Sequence, residues 1–244
     1  MFDWIAFDAD DTLWLNEPLY RAVQDRFAEI MSAYGQAERA RAALFQTEMR
    51  NLPLYGYGIK SFGLSLLETA VLLTNGRVQG QDIGRLLNLI RGMVQTPVQL
   101  LDGVAQVITI LSKSYRLMLI TKGDLLDQER KLAQSGLAPY FDQVEIVSDK
   151  TVEVYRTLLA RHGIEPQRFL MVGNSLRSDV LPIVELGGHA VHIPYHITWE
   201  HEIVDTHDKS YVELANISQL PTLLSRLTDL QEGQASYQHP EGKT

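Results

Sequence analysis

The sequence predicts an α/β protein built on a parallel sheet and interrupted once by an all-helical insertion. Three observations carry this reading: short continuous apolar runs, a helical period between those runs from about residue 100 onward, and a long stretch after the first run with helical patterning alone. Continuous rather than alternating apolarity suits a strand covered on both faces by helices. Alternation of strand and helix then implies crossover helices between parallel strands.

The strand runs are Trp4–Phe7, Leu117–Ile120, Val144–Val147, Phe169–Val172 and Ala190–Ile193. Between them, Val104, Val107, Ile108 and Leu111 share one helical face, as do Val152, Tyr155 and Leu159, and then Val180, Ile183 and Val184. The insertion runs from Asn16 to about Thr96. Asn16 reads as an N-cap, with Pro18 tolerated in the first turn. Leu19, Val23, Phe27 and Ile30 line that helix, and Gly35 is its natural stop. Further helices are expected over 38–50, 64–73 and 81–94, with Asn75-Gly76 as the turn before the last. Ile83, Leu87, Ile90 and Val94 form the stripe of the last helix. The predicted organisation is a core of 1–15 plus 98–230, a helical insert over 16–97, and a loose polar tail over 231–244.

The 244 residues suffice for one sizeable core and a smaller satellite. A net charge of -8 repels nucleic-acid phosphates and anionic lipid, which argues against a general nucleic-acid binder. The chain has no cysteine, which excludes a thiolate nucleophile, a disulfide framework and a Cys-type metal site. No apolar run approaches the roughly 20 residues that span a bilayer. Asp3, Asp8, Asp10 and Asp11 break up the first apolar stretch, so a signal peptide is not expected either. The expectation is a soluble cytoplasmic protein.

In parallel sheets the binding crevice lies beyond the carboxyl ends of the strands. The first run ends in Asp8-Ala9-Asp10-Asp11-Thr12, three acids in four positions. Such a cluster is costly beside a buried strand unless a helix N-terminus or a cation offsets it or the turn is solvated; it also suits a nucleophile with a general acid/base, or oxygen ligands to a divalent metal. The next runs end in Thr121-Lys122-Gly123-Asp124, a ready anion-binding turn, then in Ser148-Asp149-Lys150, which supplies a fixed cation. The fourth ends in Gly173-Asn174-Ser175-Leu176-Arg177-Ser178-Asp179.

Asp8-x-Asp10-x-Thr12, Thr121, Lys150 and Gly173-Asn174-Ser175 with Asp179, in that order, resemble the four motifs of the haloacid dehalogenase-like hydrolases. The resemblance extends over about residues 1–220, and the insert resembles the helical cap of one subgroup. It implies a Rossmann-like core facing a cap, and a Mg²⁺-dependent phosphomonoester hydrolase acting on a small phosphorylated metabolite. Asp8 would be the nucleophile that forms an aspartyl phosphate, and Asp10 the general acid and then base. Thr121 and Lys150 would bind the phosphoryl oxygens, together with Lys122 and Gly123 of the adjoining turn. Asp8, the Asp10 backbone carbonyl and Asp179 would hold Mg²⁺, with Asn174 beside them. True dehalogenases resemble this chain but lack the second acid, so Asp10 argues for phosphate transfer. Asn174 stands where many relatives carry an acid, which implies weaker Mg²⁺ binding. It also keeps open an alternative, a catalytically weak protein of this fold that binds a phosphorylated ligand or a protein partner. Thr151 departs from the Pro of many relatives and leaves Lys122 as a rival to Lys150.

Within the insert, Tyr55, Tyr57, Lys60 and Phe62 fall in a glycine-containing segment and are candidates for substrate specificity. Its aromatic rings could stack on a flat leaving group or simply pack beneath the cap. His192, His196 and His201 read as ordinary loop histidines, because Pro194 interrupts any helical spacing. Hinges of the cap are expected near 14–16 and 96–98.

Overall fold

A computed structural model describes residues 2–204 and 210–227; the tail expected over 231–244 lies outside the described residues. Six strands form one sheet: β1 (Trp4–Phe7), β2 (Arg116–Lys122), β3 (Gln143–Val147), β4 (Phe169–Gly173), β5 (His189–His192) and β6 (Val212–Glu213). Their order is β3-β2-β1-β4-β5-β6, and every neighbouring pair is parallel. The chain builds from β1 toward one edge, returns, and builds toward the other. The carboxyl end of β1 is therefore the topological switch point, where open α/β sheets bind ligands.

Side chains alternate across the sheet. Ile5, Phe7, Leu119 and Val172 pack on one face against Val104 and Ile108 of α5 (Val104–Leu111) and Leu132 of α6 (Leu125–Ser135). Trp4, Ala6, Ile120 and Met171 pack on the other against Tyr155 and Leu159 of α7 (Val152–Arg161) and against Ile183 of α8 (Leu181–Glu185). Both faces of the central strands are thus dry, as their continuous apolar runs require. Strand β3 departs from that expectation, because it lies at the sheet edge and leaves Val144 40% exposed. Strand β6 is two exposed residues long and carries no pattern that sequence reasoning could find.

The insert is four helices, α1 (Glu17–Ser32), α2 (Ala37–Tyr55), α3 (Ile59–Leu73) and α4 (Gly80–Gln95), around their own core of Phe27, Leu44, Phe62, Leu66 and Leu86. Three details correct the sequence reading. Helix α2 continues through Pro53 to Tyr55 and α3 starts at Ile59, so the glycine-containing segment shrinks to a turn over 56–58. The stripe of α4 is rotated: Asp82, Leu86 and Met93 are buried, while Leu87 and Val94 are each 37% exposed. Asn16 makes no side-chain cap bond. The Asp11 carboxyl instead accepts from the backbone N–H of Asn16 at 2.9 Å and of Glu17 at 2.9 Å, which gives the first free N–H groups of the helix an acceptor. The two chain segments joining cap to core run side by side, with Leu15 N–H donating to Gln99 O at 3.0 Å and Leu101 N–H to Leu13 O at 2.9 Å.

Candidate active site

Asp8 follows β1 directly, and its N–H donates to Val172 O at 2.9 Å, which pins the loop to the end of β4. Its carboxylate is nearly buried. Oδ2 accepts from Thr12 Oγ1 at 2.9 Å and Oδ1 from Lys150 Nζ at 2.5 Å. Lys150 donates again to Asp179 Oδ1 at 2.7 Å, and Asp179 Oδ2 accepts from Ser175 N–H at 3.0 Å. Burial and the charge of Asp179 push the Asp8 carboxyl up to about 7, against the pull of Lys150. Burial disfavours the Lys150 ammonium, but Asp179 and Asp8 outweigh it and raise its pKa. Thr151, in place of proline, caps α7 by accepting from Val154 N–H at 3.3 Å, so it still starts the helix just after Lys150. Gly173 is obligatory here, since a Cβ on it would lie 2.3 Å from Asp179 Oδ2.

Asp10 sits in a socket of three donors. Oδ1 accepts from Trp14 Nε1 at 2.7 Å and Lys131 Nζ at 2.9 Å, and Oδ2 from Gln128 Nε2 at 2.9 Å. Lys131 and Gln128 lie one turn apart on α6, and sequence reasoning missed both. The available signal was their spacing of three on the helix that leaves the Thr121 turn, because that spacing puts both on one face.

Asp8 Oδ2 and the Asp10 carbonyl converge on Asn174. The Thr12 hydroxyl proton is already given to Asp8, so the Asn174 amide turns its Nδ2 toward Asp8 Oδ2 at 3.2 Å and Asp10 O at 3.3 Å. An amide donor thus lies against the oxygens that would face a cation. Rotating the amide presents Oδ1 to the same spot. The donor set is oxygen alone, with two buried carboxylates against one lysine, which suits a hard divalent ion such as Mg²⁺. Among the described residues no three His, Cys, Asp or Glu side chains form a metal cluster. Neutral oxygens, the Asp10 carbonyl and Asn174 amide, would complete the set.

A cavity opens from Asp8 toward the cap, lined by Thr121 and Lys122 from the core and by Tyr57 and Phe62 from the insert. Lys122 donates to Ser178 Oγ at 2.8 Å, pairs with Glu202, and lies 4.3 Å from the centre of the Tyr57 ring. Burial opposes ionisation of Glu202, but Lys122 and the hydroxyls of Ser175 and Ser178 hold its pKa at about 2. Tyr57 meets the Trp199 ring edge-on at 6.1 Å, so the turn of the cap closes onto the loop after β5. Glu17 and Glu48 line the cap side, each pushed up to about 7 by burial. Of the specificity candidates, Tyr55 and Lys60 stand outside the cavity: Tyr55 is half exposed, and Lys60 pairs with Asp124 at 3.0 Å on the surface. Gly123 is not part of the cavity wall; its positive φ of 137° lets β2 turn into α6. Among the three histidines, His192 bridges Glu213 and the Asn174 carbonyl, His196 lies against the Tyr195 ring, and His201 reaches the Tyr57 hydroxyl at 3.4 Å.

A carboxylate lies at the switch point of a parallel sheet, paired with a buried lysine and facing a helical insert. The chain belongs to the haloacid dehalogenase-like hydrolases, whose family model matches residues 2–187. Its fold is shared by a haloacid dehalogenase-like family hydrolase from Xanthomonas campestris, at 36% identity and a TM-score of 0.85 over 96% of this chain and 94% of that one. It is also similar to the glyceraldehyde 3-phosphate phosphatase of Methanothermobacter thermautotrophicus, 31% identical over 48% of this chain and 54% of that protein. The N-acylneuraminate-9-phosphatase of Mus musculus is 31% identical over 33% of this chain and 35% of that protein. The chain thus matches about half or less of the length of these curated relatives.

Proposed function

We propose that the protein is a phosphomonoester hydrolase acting on a small phosphorylated metabolite, with Asp8 as nucleophile. The observation that carries this reading is Asp8 held between Thr12 and Lys150, with Asp10, a second acid, in the same cavity two residues on. The phosphatase names of two relatives agree with it. An Asp8 carboxylate oxygen attacks phosphorus in line, the bond to the leaving oxygen breaks, and an aspartyl phosphate forms. Asp10 gives its proton to the departing alkoxide, then takes one from the water that attacks the phosphoaspartate. Inorganic phosphate leaves and Asp8 is regenerated. Lys150 faces the incoming phosphoryl oxygens and offsets their charge beside Asp8; at an effective dielectric of 20, unlike charges about 4 Å apart gain about 4 kcal/mol. Thr121, at the same edge, supplies a hydroxyl donor. Asp8, Asp179, the Asp10 carbonyl and Asn174 would hold Mg²⁺, which when bound supplies charge neutralisation of the phosphoryl oxygens.

The test is hydrolysis of p-nitrophenyl phosphate with and without Mg²⁺, with Asp8→Asn alongside. Metal-dependent turnover that disappears in the variant supports the reading. No turnover, together with ligand affinity that survives Asp10→Asn, would replace it by the binding protein that Asn174 leaves open.

A further inference from the structure

Asp10 and Gln128 line the cavity, but Lys131 stands behind them, outside its wall and 6% exposed. A buried ammonium is costly unless it is fully paired. Here its Nζ donates to Asp10 Oδ1 at 2.9 Å and to Asn16 Oδ1 at 2.8 Å, with Asp127 Oδ2 at 3.5 Å. These partners belong to three different parts of the molecule. Asp10 is on the loop after β1, Asp127 is in the first turn of α6, and Asn16 is the last residue before α1, where the chain enters the cap. Trp14, which donates to the same Asp10 oxygen, is also bridged to Leu100 on the returning connection.

We propose that Lys131 is a positioning residue that aims the Asp10 carboxyl and ties that aim to the seating of the cap through Asn16. The inference rests on the phosphatase reading. Lys131 does not face the substrate space, so it acts through Asp10. A cap that swings about 14–16 displaces Asn16 and takes one acceptor from the ammonium, which then re-forms its contacts around Asp10. Proton delivery to the leaving group is thereby restricted to the closed site, from which water is excluded. Gln128 holds the second Asp10 oxygen from the same helix face and completes the aim.

General-acid help matters for an alkoxide leaving group and little for p-nitrophenolate, which leaves without a proton. The experiment therefore measures kcat and KM of wild type, Lys131→Met and Lys131→Arg on p-nitrophenyl phosphate and on glycerol 1-phosphate as a generic alkyl ester. The expected result for Lys131→Met is an alkyl-to-aryl ratio of kcat/KM, which reports the first half-reaction where Asp10 acts as acid, lower by tenfold or more, within the usual contribution of general acid catalysis. Lys131→Arg, which keeps the charge and donors, should recover part of the ratio. A parallel loss of kcat/KM on both substrates would show a merely structural lysine and overturn the inference. Should Lys131→Met not fold, Asn16→Ala carries the test: it removes one acceptor and alters no charge, and a ratio equal to wild type overturns the coupling to the cap. Wild-type protein inactive on both substrates would instead defeat the phosphatase reading itself.

Discussion

At Asp8 two effects oppose each other. Lys150 stabilises its charge, while burial and Asp179 disfavour it, and the second group wins by enough to raise the carboxyl to about 7. Asp11, at about 8, and Glu17 and Glu48, at about 7, are raised chiefly by burial. A carboxyl with a higher pKa folded than unfolded binds its proton more tightly in the folded state. Its contribution to stability is fully present below about pH 4 and is lost as pH rises through the folded value. Metal-free protein should therefore lose stability between about pH 4 and pH 8. Glu48→Gln removes one of these groups without changing its shape. Its unfolding free energy relative to wild type should rise by about 1–2 kcal/mol from pH 5 to pH 8, after allowance for partial exposure. Urea unfolding in EDTA at both pH values checks this, and a pH-independent difference would refute it. Asn174 leads to a second expectation. Its Nδ2 lies against Asp8 Oδ2 and the Asp10 carbonyl, so a metal must turn the amide over and gains no charge from it. Asn174→Asp should tighten Mg²⁺ binding by about tenfold, about 1.4 kcal/mol, in a calorimetric titration.

At the scale of elements, the strands at the centre of the sheet were legible because burial on both faces leaves a continuous apolar run. The boundary of α2 and α3 was not. Gly56 and Gly58 look like a flexible loop in the sequence, yet the helices close to within three residues because the φ values of those glycines, 69° and 107°, reverse the chain at once. The price of that turn is a close approach: a Cβ at Gly58 would lie 2.8 Å from the backbone nitrogen of Asp124 at the start of α6. Gly58→Ala should cost about 1–3 kcal/mol from its backbone conformation and push the cap turn off the core, raising KM more than it lowers kcat. Steady-state kinetics with thermal unfolding would show this, and unchanged KM would mean that the contact does not shape the closed site. The α4 stripe was misread for a related reason. Leu87 and Val94 have the right spacing, but packing against α3 buries Leu86 and Met93 instead.

At the scale of the whole molecule, the cap has an apolar core of its own, and its contacts with the core domain include the paired connections at 13–15 and 99–101, Gly58 on α6, Arg130 with the Val94 carbonyl, Lys60 with Asp124, and Tyr57 on Lys122, Trp199 and His201. Lys60 is 65% exposed, so its ion pair is worth at most about 1 kcal/mol and does not by itself hold the cap shut. The cap should move on its connections when a phosphate mimic binds. The absence of native cysteine allows spin labels at Tyr55→Cys and Leu126→Cys, both exposed positions, without background. Adding tungstate with Mg²⁺ should narrow and shorten the distance distribution between them; an unchanged distribution would mean a fixed cap.

The sequence by itself determined the fold class, the helical insert and the strand ends that bring Asp8, Thr121, Lys150 and Asp179 to one edge, because period and register are local and a parallel sheet lines up its carboxyl ends. Only the tertiary structure decided which groups those residues touch. Lys131 and Gln128 on α6, Glu202 from the loop after β5, and Glu48 on the cap reach the site across long sequence separations; the spacing of the first two puts them on one helix face but does not say where that face points, and nothing local marks the other two. The outward placement of Tyr55 and Lys60 was decided in the same way, by where two helices end and how they pack.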